Sequence, residues 1–356
     1  MARKISLRKR GQVVTLSHQS NILKDNPLGD PTDRQVQVYL PAAYDNARQN
    51  LRRFSVLYDL VGYTGAGPSH TNWRNFEENV PEKLDRLIGT GRMPPCIVVF
   101  PDCFTALGGN QYINSSAIGD YADYLTREII PFVDNQLRTR GDREHRACFG
   151  KSSGGYGAMV HGMRYTRYWG AIGNHSGDAY FDFVYRSEWP GALTHLQRFT
   201  PKRPAANVEP GMDDGRIAAF LKDVYRRSDL SGNDIMCLMM VCMAATYDPD
   251  ADAPLGFRLP FDLETGELLA ARWKRWLKHD PVYMVRRYQN NLRSLKGILI
   301  DCGYHDQYHI HFGSRQLHQR LIEHRVQHSY EEFEGTHSGI DHRMDVSLPY
   351  LAKSVD

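Results

Sequence analysis

A serine between two glycines has the surroundings of a catalytic nucleophile. Residues 150–154 read GKSSG and fit the pattern G-x-S-x-G, with Ser152 at the centre. The apolar run at 145–149 predicts a strand before this pattern, and the small residues at 154–160 predict a helix after it. A sharp strand-to-helix turn would expose the Ser152 hydroxyl, and the flanking glycines leave room for it. The pentapeptide alone is weak evidence, but with the strand and helix around it the pattern indicates attack on an acyl carbon.

A nucleophilic serine needs a base, and the base needs an orienting acid. In this architecture the chain order is serine, acid, histidine. The apolar run at 295–301 predicts a strand that is followed by a turn carrying Asp306, and 327–334 predicts the next strand, followed by a glycine-bracketed loop around His337. Loops after successive parallel strands meet at one edge of a sheet. The sequence therefore predicts Ser152, Asp306 and His337 as a catalytic triad.

Each partner of the serine has a competitor nearby. Asp301 ends the predicted strand, whereas Asp306 lies far enough into the loop to reach an imidazole, which favours Asp306. His342 lies where the terminal helix is expected to begin, which favours His337.

Three further histidines, at 305, 309 and 311, surround the acid loop. No cysteine or carboxylate set completes a metal-ligand spacing with them, so we predict no metal site and no cofactor.

The elements around these residues predict the fold class. Strands are expected at 36–40, 54–60, 96–100 and 169–173, and a helix with apolar residues at helical spacing is expected over 118–133, bent at Pro131. A last helix carries Leu317, Leu321 and Ile322 on one side. This alternation predicts an α/β protein with a mostly parallel sheet and helices on both faces.

Residues 177–290 interrupt the alternation. A simple crossover needs only a few tens of residues, so we interpret the chain as one domain, 1–356, with an inserted cap over about 177–290. The insertion has two predicted helices, a methionine-rich run at 235–245 and a tryptophan-bearing segment at 266–278. Two interpretations stay open: these methionines and tryptophans shape a substrate pocket, or they only pack the inserted helices together.

Composition limits the classes of partner. The chain has 356 residues, 41% of them hydrophobic, and a net charge of +3, so no general affinity for nucleic acid or membrane is expected. The basic cluster at residues 3–10 lacks a following apolar stretch and is interpreted as a solvated lead-in. The longest apolar run is far too short to span a bilayer. Six scattered cysteines without CxxC spacing predict reduced thiols and a cytoplasmic protein. Nothing in the sequence indicates a homo-oligomer.

Segments over most of the chain carry a family resemblance. They are, in order, 38–41 (VYLP), 56–58 with Gly62, 100–102 (FPD), 108–115 (GGNQYINS), 150–157 (GKSSGGYG), 301–303 with Asp306, and 335–337 (GTH). In these segments the chain resembles the "Putative esterase" family of α/β-hydrolases, which includes esterase D and enterochelin-esterase-like enzymes. The resemblance implies the α/β-hydrolase fold and hydrolysis of carboxylic esters or thioesters. It also implies Ser152 as nucleophile, Asp306 as acid and His337 as base.

The oxyanion turn departs from the family pattern. The family often has His-Gly there, whereas this chain has Val-Gly at 61–62, followed by Tyr63 and Thr64. A backbone N–H donor does not need that histidine, so we expect the amides of Ser153 and of Tyr63 or Thr64 to bind the oxyanion.

Four side chains are expected at the mouth of the substrate pocket. They are Thr64, Asn110, Tyr112 and Asn114. Turn chemistry explains the asparagines and glycines of 108–115 equally well.

Three functions follow from these residues. The first is a serine esterase acting on a small-molecule ester, such as a siderophore lactone or a phenolic ester. The second keeps the triad but transfers the acyl group to another acceptor, or cleaves a thioester. The third is a catalytically silent binding module, which an intact triad argues against.

Overall fold

The computed structural model describes residues 10–45, 51–201 and 208–356. Most of the basic N-terminal cluster, from Arg3 to Lys9, lies outside these ranges. Ten strands are present in the described ranges: β1 Gln12–Gln19, β2 Asp33–Leu40, β3 Val56–Leu60, β4 Ile97–Phe100, β5 Asn114–Ser115, β6 Gly119–Asp120, β7 Arg146–Lys151, β8 Ala171–His175, β9 Gly297–Gly303 and β10 Ser329–Phe333. Eight of them form the main sheet, and β5 and β6 form a separate two-stranded ribbon.

The main sheet has the order β1-β2-β4-β3-β7-β8-β9-β10. From β4 to β10 every neighbouring pair is parallel, and β2 joins β4 in the antiparallel direction. The outer strand β1, which the sequence reading did not predict, pairs antiparallel with β2. Its residues alternate between exposed and half-buried, as a strand at the sheet edge requires. The predicted α/β class with a mostly parallel sheet is therefore confirmed.

Helices cover both faces of the sheet. They are α1 Pro68–Thr71, α2 Val80–Gly89, α3 Tyr121–Asp123, α4 Ile130–Gln136, α5 Ser153–Arg164, α6 Phe181–Val184, α7 Trp189–Leu196, α8 Arg216–Val224, α9 Gly232–Tyr247, α10 Ala270–Leu277, α11 Pro281–Arg293, α12 Ile310–Glu323 and α13 Met344–Ser354. One face packs against α2 and α13 through a compact apolar cluster. The other face packs against α5 and contributes to a larger core that extends into the inserted helices.

The helix predicted over 118–133 is interrupted in an informative way. It consists of α3, a π-helical segment Tyr124–Ile129, and α4. Pro131 lies in the first turn of α4 and has no backbone N–H to donate to the preceding turn. The wider π-helical turn just before it accommodates that missing hydrogen bond.

The predicted insertion falls between two adjacent parallel strands, β8 and β9. Its last helix, α11, packs against α5 and α12 and so belongs to the layer that covers the sheet. The earlier helices α6 to α10 are additional to a single crossover. Strand β8 begins at Ala171, two residues later than predicted, and Trp169 before it packs edge-on against the ring of Tyr58 in the core.

Candidate active site

The chemistry-bearing residues lie beyond the carboxyl ends of neighbouring strands. Ser152 follows β7, Asp306 follows β9 and His337 follows β10. Strands β7 to β10 are consecutive and parallel in the sheet, so all three loops emerge at the same edge.

The turn at Ser152 has the backbone of a residue held under strain. Its φ of 56° and ψ of −124° lie outside the regions that a non-glycine residue normally adopts. The two flanking glycines make this turn possible. A Cβ atom on Gly150 or Gly154 would lie 2.0 Å or 1.7 Å from the carbonyl oxygen of Leu60, far inside van der Waals contact. The Ser152 amide donates to the His175 carbonyl at 3.0 Å, which fixes the turn on the neighbouring strand.

Asp306 and His337 are in direct contact. His337 Nδ1 lies 2.7 Å from Asp306 Oδ2, and both side chains are buried. The other carboxylate oxygen of Asp306 accepts the amide of Tyr308 at 2.9 Å, and the His337 amide donates to the side chain of Gln307 at 3.0 Å. The Tyr308 ring packs edge-on against the imidazole. The contacts of this loop orient the imidazole and hold Oδ2 of Asp306 at hydrogen-bond distance from Nδ1 of His337.

The competing acid is engaged elsewhere, whereas the competing base lies at the same cavity as Ser152 without contacting Asp306. Asp301 contacts His175 at 2.6 Å and accepts from Arg343 at 2.9 Å, on the sheet face covered by α13. His342 is exposed and its Nδ1 lies near the Gly339 carbonyl oxygen. Neither contact brings these side chains to the pair formed by Asp306 and His337.

A cavity of about 860 Å³ opens at this edge and is lined by both Ser152 and His337. No hydrogen bond joins these two side chains within the ranges that the structure describes, so the serine–imidazole contact stays a prediction. Among the same residues no group of three histidine, cysteine or acidic side chains is arranged to hold a metal ion. The described helices also include none that is long and apolar enough to cross a bilayer.

In the turn after β3, the backbone amides of Tyr63 and Thr64, the two alternative oxyanion donors, have different hydrogen bonds. The Thr64 amide donates to the Gly108 carbonyl at 2.9 Å and is therefore committed to a neighbouring loop. The Tyr63 hydroxyl donates to the Leu107 carbonyl at 2.6 Å, which anchors the turn beside Ser152. Both Tyr63 and Thr64 line the cavity. No hydrogen-bond partner is found for the Tyr63 amide among the described residues, so Tyr63 remains the candidate donor.

The structure places three predicted pocket residues away from the cavity lining. Asn110 accepts the backbone amide of Tyr112, and the buried Tyr112 hydroxyl donates to the Val61 carbonyl at 2.7 Å. Asn114 accepts the amide of Asp123 at 3.1 Å, at the start of the interrupted helix. These contacts support the oxyanion turn from behind and shape the loop. The predicted substrate contacts of Asn110, Tyr112 and Asn114 therefore stay predictions without support from the geometry.

The cavity lining divides into two parts of different character. The part supplied by α6, α9 and the start of α12, which we call the apolar half, consists of Val184, Tyr185, Ile235, Met236, Met239 and Ile310. The part supplied by 70–83, the end of β7 and the loop before α13, which we call the charged half, has the charged or titratable residues His70, Arg74, Glu77, Glu78, Lys83, Lys151, Asp341 and His342. Ser152 and His337 lie in the same lining as both halves.

The methionine-rich run was predicted either to line a pocket or only to pack the inserted helices, and each interpretation describes part of it. Met236 and Met239 are half-buried and line the cavity, whereas Met240 and Met243 are fully buried in the core. The tryptophans of α10 are buried among aromatic rings of that core and do not line the cavity.

Sequence reasoning missed a second buried carboxyl at the site. Asp178 lines the cavity and accepts from the Tyr185 hydroxyl at 2.7 Å and, at 3.4 Å, from the Gln111 amide. Burial raises the pKa of Asp178, while the bond from Tyr185 and the nearby His337 lower it. Gln111 also donates to the Ser153 hydroxyl at 2.7 Å, so this network reaches the turn that carries Ser152. No motif marks Asp178 in the sequence, because it follows β8 without catalytic spacing.

Comparison with known families gives one match over most of the chain. The family described as "Putative esterase" matches residues 31–345. A xylanase/feruloyl esterase of Xylanibacter ruminicola is 30% identical over 151 residues, which are 41% of this chain and 20% of that protein. An esterase of Mycobacterium tuberculosis is 29% identical over 150 residues, 40% of this chain and 29% of that protein. The aligned segments thus span less than a third of either relative.

Solved structures resemble nearly the whole chain. A ferulic acid esterase superposes with a TM-score of 0.60 at 18% identity, covering 98% of this chain and all of the other. An S-formylglutathione hydrolase from Agrobacterium tumefaciens superposes with a TM-score of 0.55 at 16% identity, covering 99% of this chain and 98% of the other. Similarity at such identity bears on the fold alone, and it confirms the predicted α/β-hydrolase fold.

Proposed function

Because this chain belongs to the "Putative esterase" family, we propose that it is a carboxylic ester hydrolase that cleaves its substrate through an acyl-enzyme formed on Ser152. The Ser152 Oγ attacks the ester carbonyl carbon, and its proton passes to Nε2 of His337. The Asp306 carboxylate holds Nδ1 of His337 and stabilises the imidazolium that forms. The backbone amides of Tyr63 and Ser153 stabilise the oxyanion of the tetrahedral intermediate.

The intermediate then collapses in the usual order for such a triad. The carbon–oxygen bond to the leaving alcohol breaks, and the alcohol takes the proton from His337. A water molecule next loses a proton to His337 and attacks the acyl carbon. Release of the carboxylic acid returns the proton to the Ser152 oxygen.

One observation supports this proposal above the others. A buried aspartate–histidine pair at 2.7 Å lines the same cavity as a serine in a strained strand-to-helix turn. The serine is more than 150 positions from either member of that pair in the sequence, and an ordinary tight turn gives no reason for such an arrangement.

The experiment that tests the proposal is replacement of the nucleophile. Ser152→Ala is expected to lower kcat for a para-nitrophenyl ester by a factor on the order of 10⁴ or more. Its far-ultraviolet circular dichroism should be unchanged, and a fluorophosphonate probe that labels the wild type should leave it unlabelled.

Ser153→Ala is the matched control. It removes a hydroxyl one residue away but keeps the backbone amide proposed for the oxyanion, so turnover should stay within about tenfold of the wild type. Full activity in Ser152→Ala, or equal loss in both variants, would reject Ser152 as nucleophile.

We also propose an aromatic or other apolar acyl group as the part of the substrate that enters the apolar half. Tyr185, Met236 and Met239 offer an apolar surface that methionine side chains can adapt to a ring. The curated relative from Xylanibacter is named a feruloyl esterase, which agrees with a phenolic acyl group. A cytoplasmic location is likewise our proposal, supported by six buried cysteines with free thiols.

A further inference from the structure

Four neighbouring strands place a polar side chain near their carboxyl ends on one face of the sheet. They are Asp59 of β3, Lys151 of β7, His175 of β8 and Asp301 of β9. Side chains two apart on a strand share a face, and Ala147 and Phe149 of β7 belong to the cluster under α2 and α13. Lys151 therefore leaves β7 on that same face.

Three of these four side chains have partners at hydrogen-bond distance. Asp59 lies 2.6 Å from the ring of His70. His175 contacts Asp301 at 2.6 Å, and its other ring nitrogen lies 2.8 Å from the Ser347 hydroxyl. Such pairing is what burial of polar groups requires.

Lys151 is the exception. It is half-buried and lines the cavity, yet no hydrogen bond or ion pair within 4 Å is found for its ammonium among residues 10–45, 51–201 and 208–356. Burial lowers the pKa of Lys151, whereas the carboxylates of Asp341 and Asp306 raise it from beyond contact distance. A half-buried cation without a counterion is costly, and a ligand anion would offset that cost.

The other cations of the charged half are already engaged. Arg74 forms an ion pair with Asp341, and Lys83 contacts Asp345 at 2.8 Å. The carboxylates at the outer rim are paired as well, Glu77 with Arg74 and Glu78 with Arg86. Among the lysines and arginines of this half, Lys151 is therefore the one whose charge the described part of the chain leaves available.

We propose that Lys151 is a specificity-determining residue that binds an oxyanion of the substrate, a carboxylate or a phosphate, in the charged half of the cavity. This inference rests on the proposed hydrolysis at Ser152. Lys151 precedes the nucleophile by one residue, and a lysine side chain extends about 6 Å from its Cα. The anionic group then lies within a few bonds of the ester carbonyl. The proposed substrate is therefore an amphiphilic ester, with an apolar part under α9 and an anionic part at Lys151.

The test compares matched neutral and anionic esters. One pair varies the acyl group: para-nitrophenyl benzoate and its para-carboxy analogue, whose rigid ring prevents internal attack by the carboxylate. The other pair varies the leaving group: nitrophenyl acetate and a carboxy-nitrophenyl acetate. For each pair the measured quantity is the ratio of kcat/KM for the anionic ester to that for the neutral ester.

The expected result is a Lys151-dependent preference in at least one pair. Lys151→Met should lower the anionic-to-neutral ratio by about tenfold or more, since a charge-assisted hydrogen bond is lost. Lys151→Arg should restore most of the preference. Lys83→Met is the matched control, because it removes a lysine of the same cavity whose ammonium is committed to Asp345, and it should leave the ratio within about twofold.

Failure of this inference differs from failure of the proposed function. Turnover that depends on Ser152 with a ratio that Lys151→Met leaves unchanged in both pairs overturns the anion site alone. The same holds if the variant loses activity equally on neutral and anionic esters, because Lys151 would then only support the turn. Turnover of these esters by Ser152→Ala at the wild-type rate would reject the nucleophile itself.

Discussion

The two halves of the cavity are built by different forces. In the charged half, side chains are fixed by directional contacts such as Lys83 with Asp345 and His70 with Asp59. In the apolar half, Met236 and Met239 of α9 are held by packing alone and are only half-buried. Directional contacts fix the position of a charge, whereas flexible thioethers adapt to the shape of what they meet. We therefore expect selectivity for charge on one side and tolerance of shape on the other.

The proposed triad of Ser152, Asp306 and His337 belongs to neither half. A change in it should affect every ester alike, whereas a change in one half should affect only the substrates that use that half. These effects can be told apart only if the two buried carboxyls near His337, Asp306 and Asp178, have different roles.

The largest expected loss of activity is for Asp306, and it distinguishes Asp306 from Asp178. Asp306→Asn leaves the shape of the loop but removes the charge that orients His337 Nδ1 and stabilises the imidazolium. We expect kcat to fall by a factor on the order of 10³ to 10⁴ on neutral and anionic esters alike, measured at saturating substrate. An equally large change in the ratio between the two ester types would instead assign Asp306 to substrate binding.

Asp178→Asn is the comparison variant for Asp306. Asp178 accepts from Tyr185 and Gln111 rather than from the imidazole, and burial raises its pKa. We expect kcat on acetate esters to fall less than about tenfold, because an amide oxygen can still accept from the Tyr185 hydroxyl. A loss as large as that of Asp306→Asn would make Asp178 part of the catalytic machinery and would end the separation of roles.

The apolar half predicts a smaller and selective effect. Met239→Ala removes apolar surface from the cavity wall without creating a void in the closed core, since Met239 is half-buried. For aromatic acyl esters kcat/KM should fall about tenfold, while acetate esters change little. Equal losses on both would indicate a general disturbance of α9. A loss on anionic acetate esters alone would show that the two halves are not separate.

The charged half predicts a dependence on pH. Burial lowers the pKa of His70, but the adjacent Asp59 carboxylate, with Asp341 further away, outweighs burial and the repulsion by Arg74, so the pKa is raised. A histidine with a raised pKa in the folded state stabilises the fold fully below its unfolded pKa. That contribution is lost as the pH rises through the folded pKa.

The measurement for this pair is urea unfolding of the wild type and His70→Gln. The wild type should exceed the variant in free energy of unfolding by more at about pH 6 than at about pH 9. A difference that is constant between these pH values would contradict a charged pair of His70 and Asp59.

The parts of this site that local pattern specifies were predictable from sequence. The strained turn at Ser152 follows from two glycines, a strand and a helix, and the loops at Asp306 and His337 follow from strand ends. Lys151 lies inside the G-x-S-x-G pattern at 150–154, yet nothing in the sequence shows that its ammonium lacks a hydrogen-bond or ion-pair partner. That property depends on where Asp341 and Asp345 place their carboxylates, about 190 residues later in the chain.

The loop at 108–115 shows what the sequence pattern could not predict about side-chain direction. Asn110, Tyr112 and Asn114 were predicted at the pocket mouth, with turn chemistry as the alternative explanation of the asparagines and glycines. Gly108 accepts the Thr64 amide and Tyr112 donates to Val61, so the loop supports the oxyanion turn from the protein side. Sequence spacing indicates which loops meet, but the direction of a side chain depends on packing that spacing does not encode.

The smallest expected effect tests this assignment of the loop. Asn114→Ala removes an acceptor for the Asp123 amide at the exposed start of the interrupted helix. We expect the free energy of unfolding to fall by about 0.5–1 kcal/mol, as for loss of one exposed hydrogen bond, with kcat/KM unchanged on all four esters. A selective loss on any ester would return Asn114 to the pocket mouth. It would also require a third region of the cavity, on the β5–β6 side, that neither half includes.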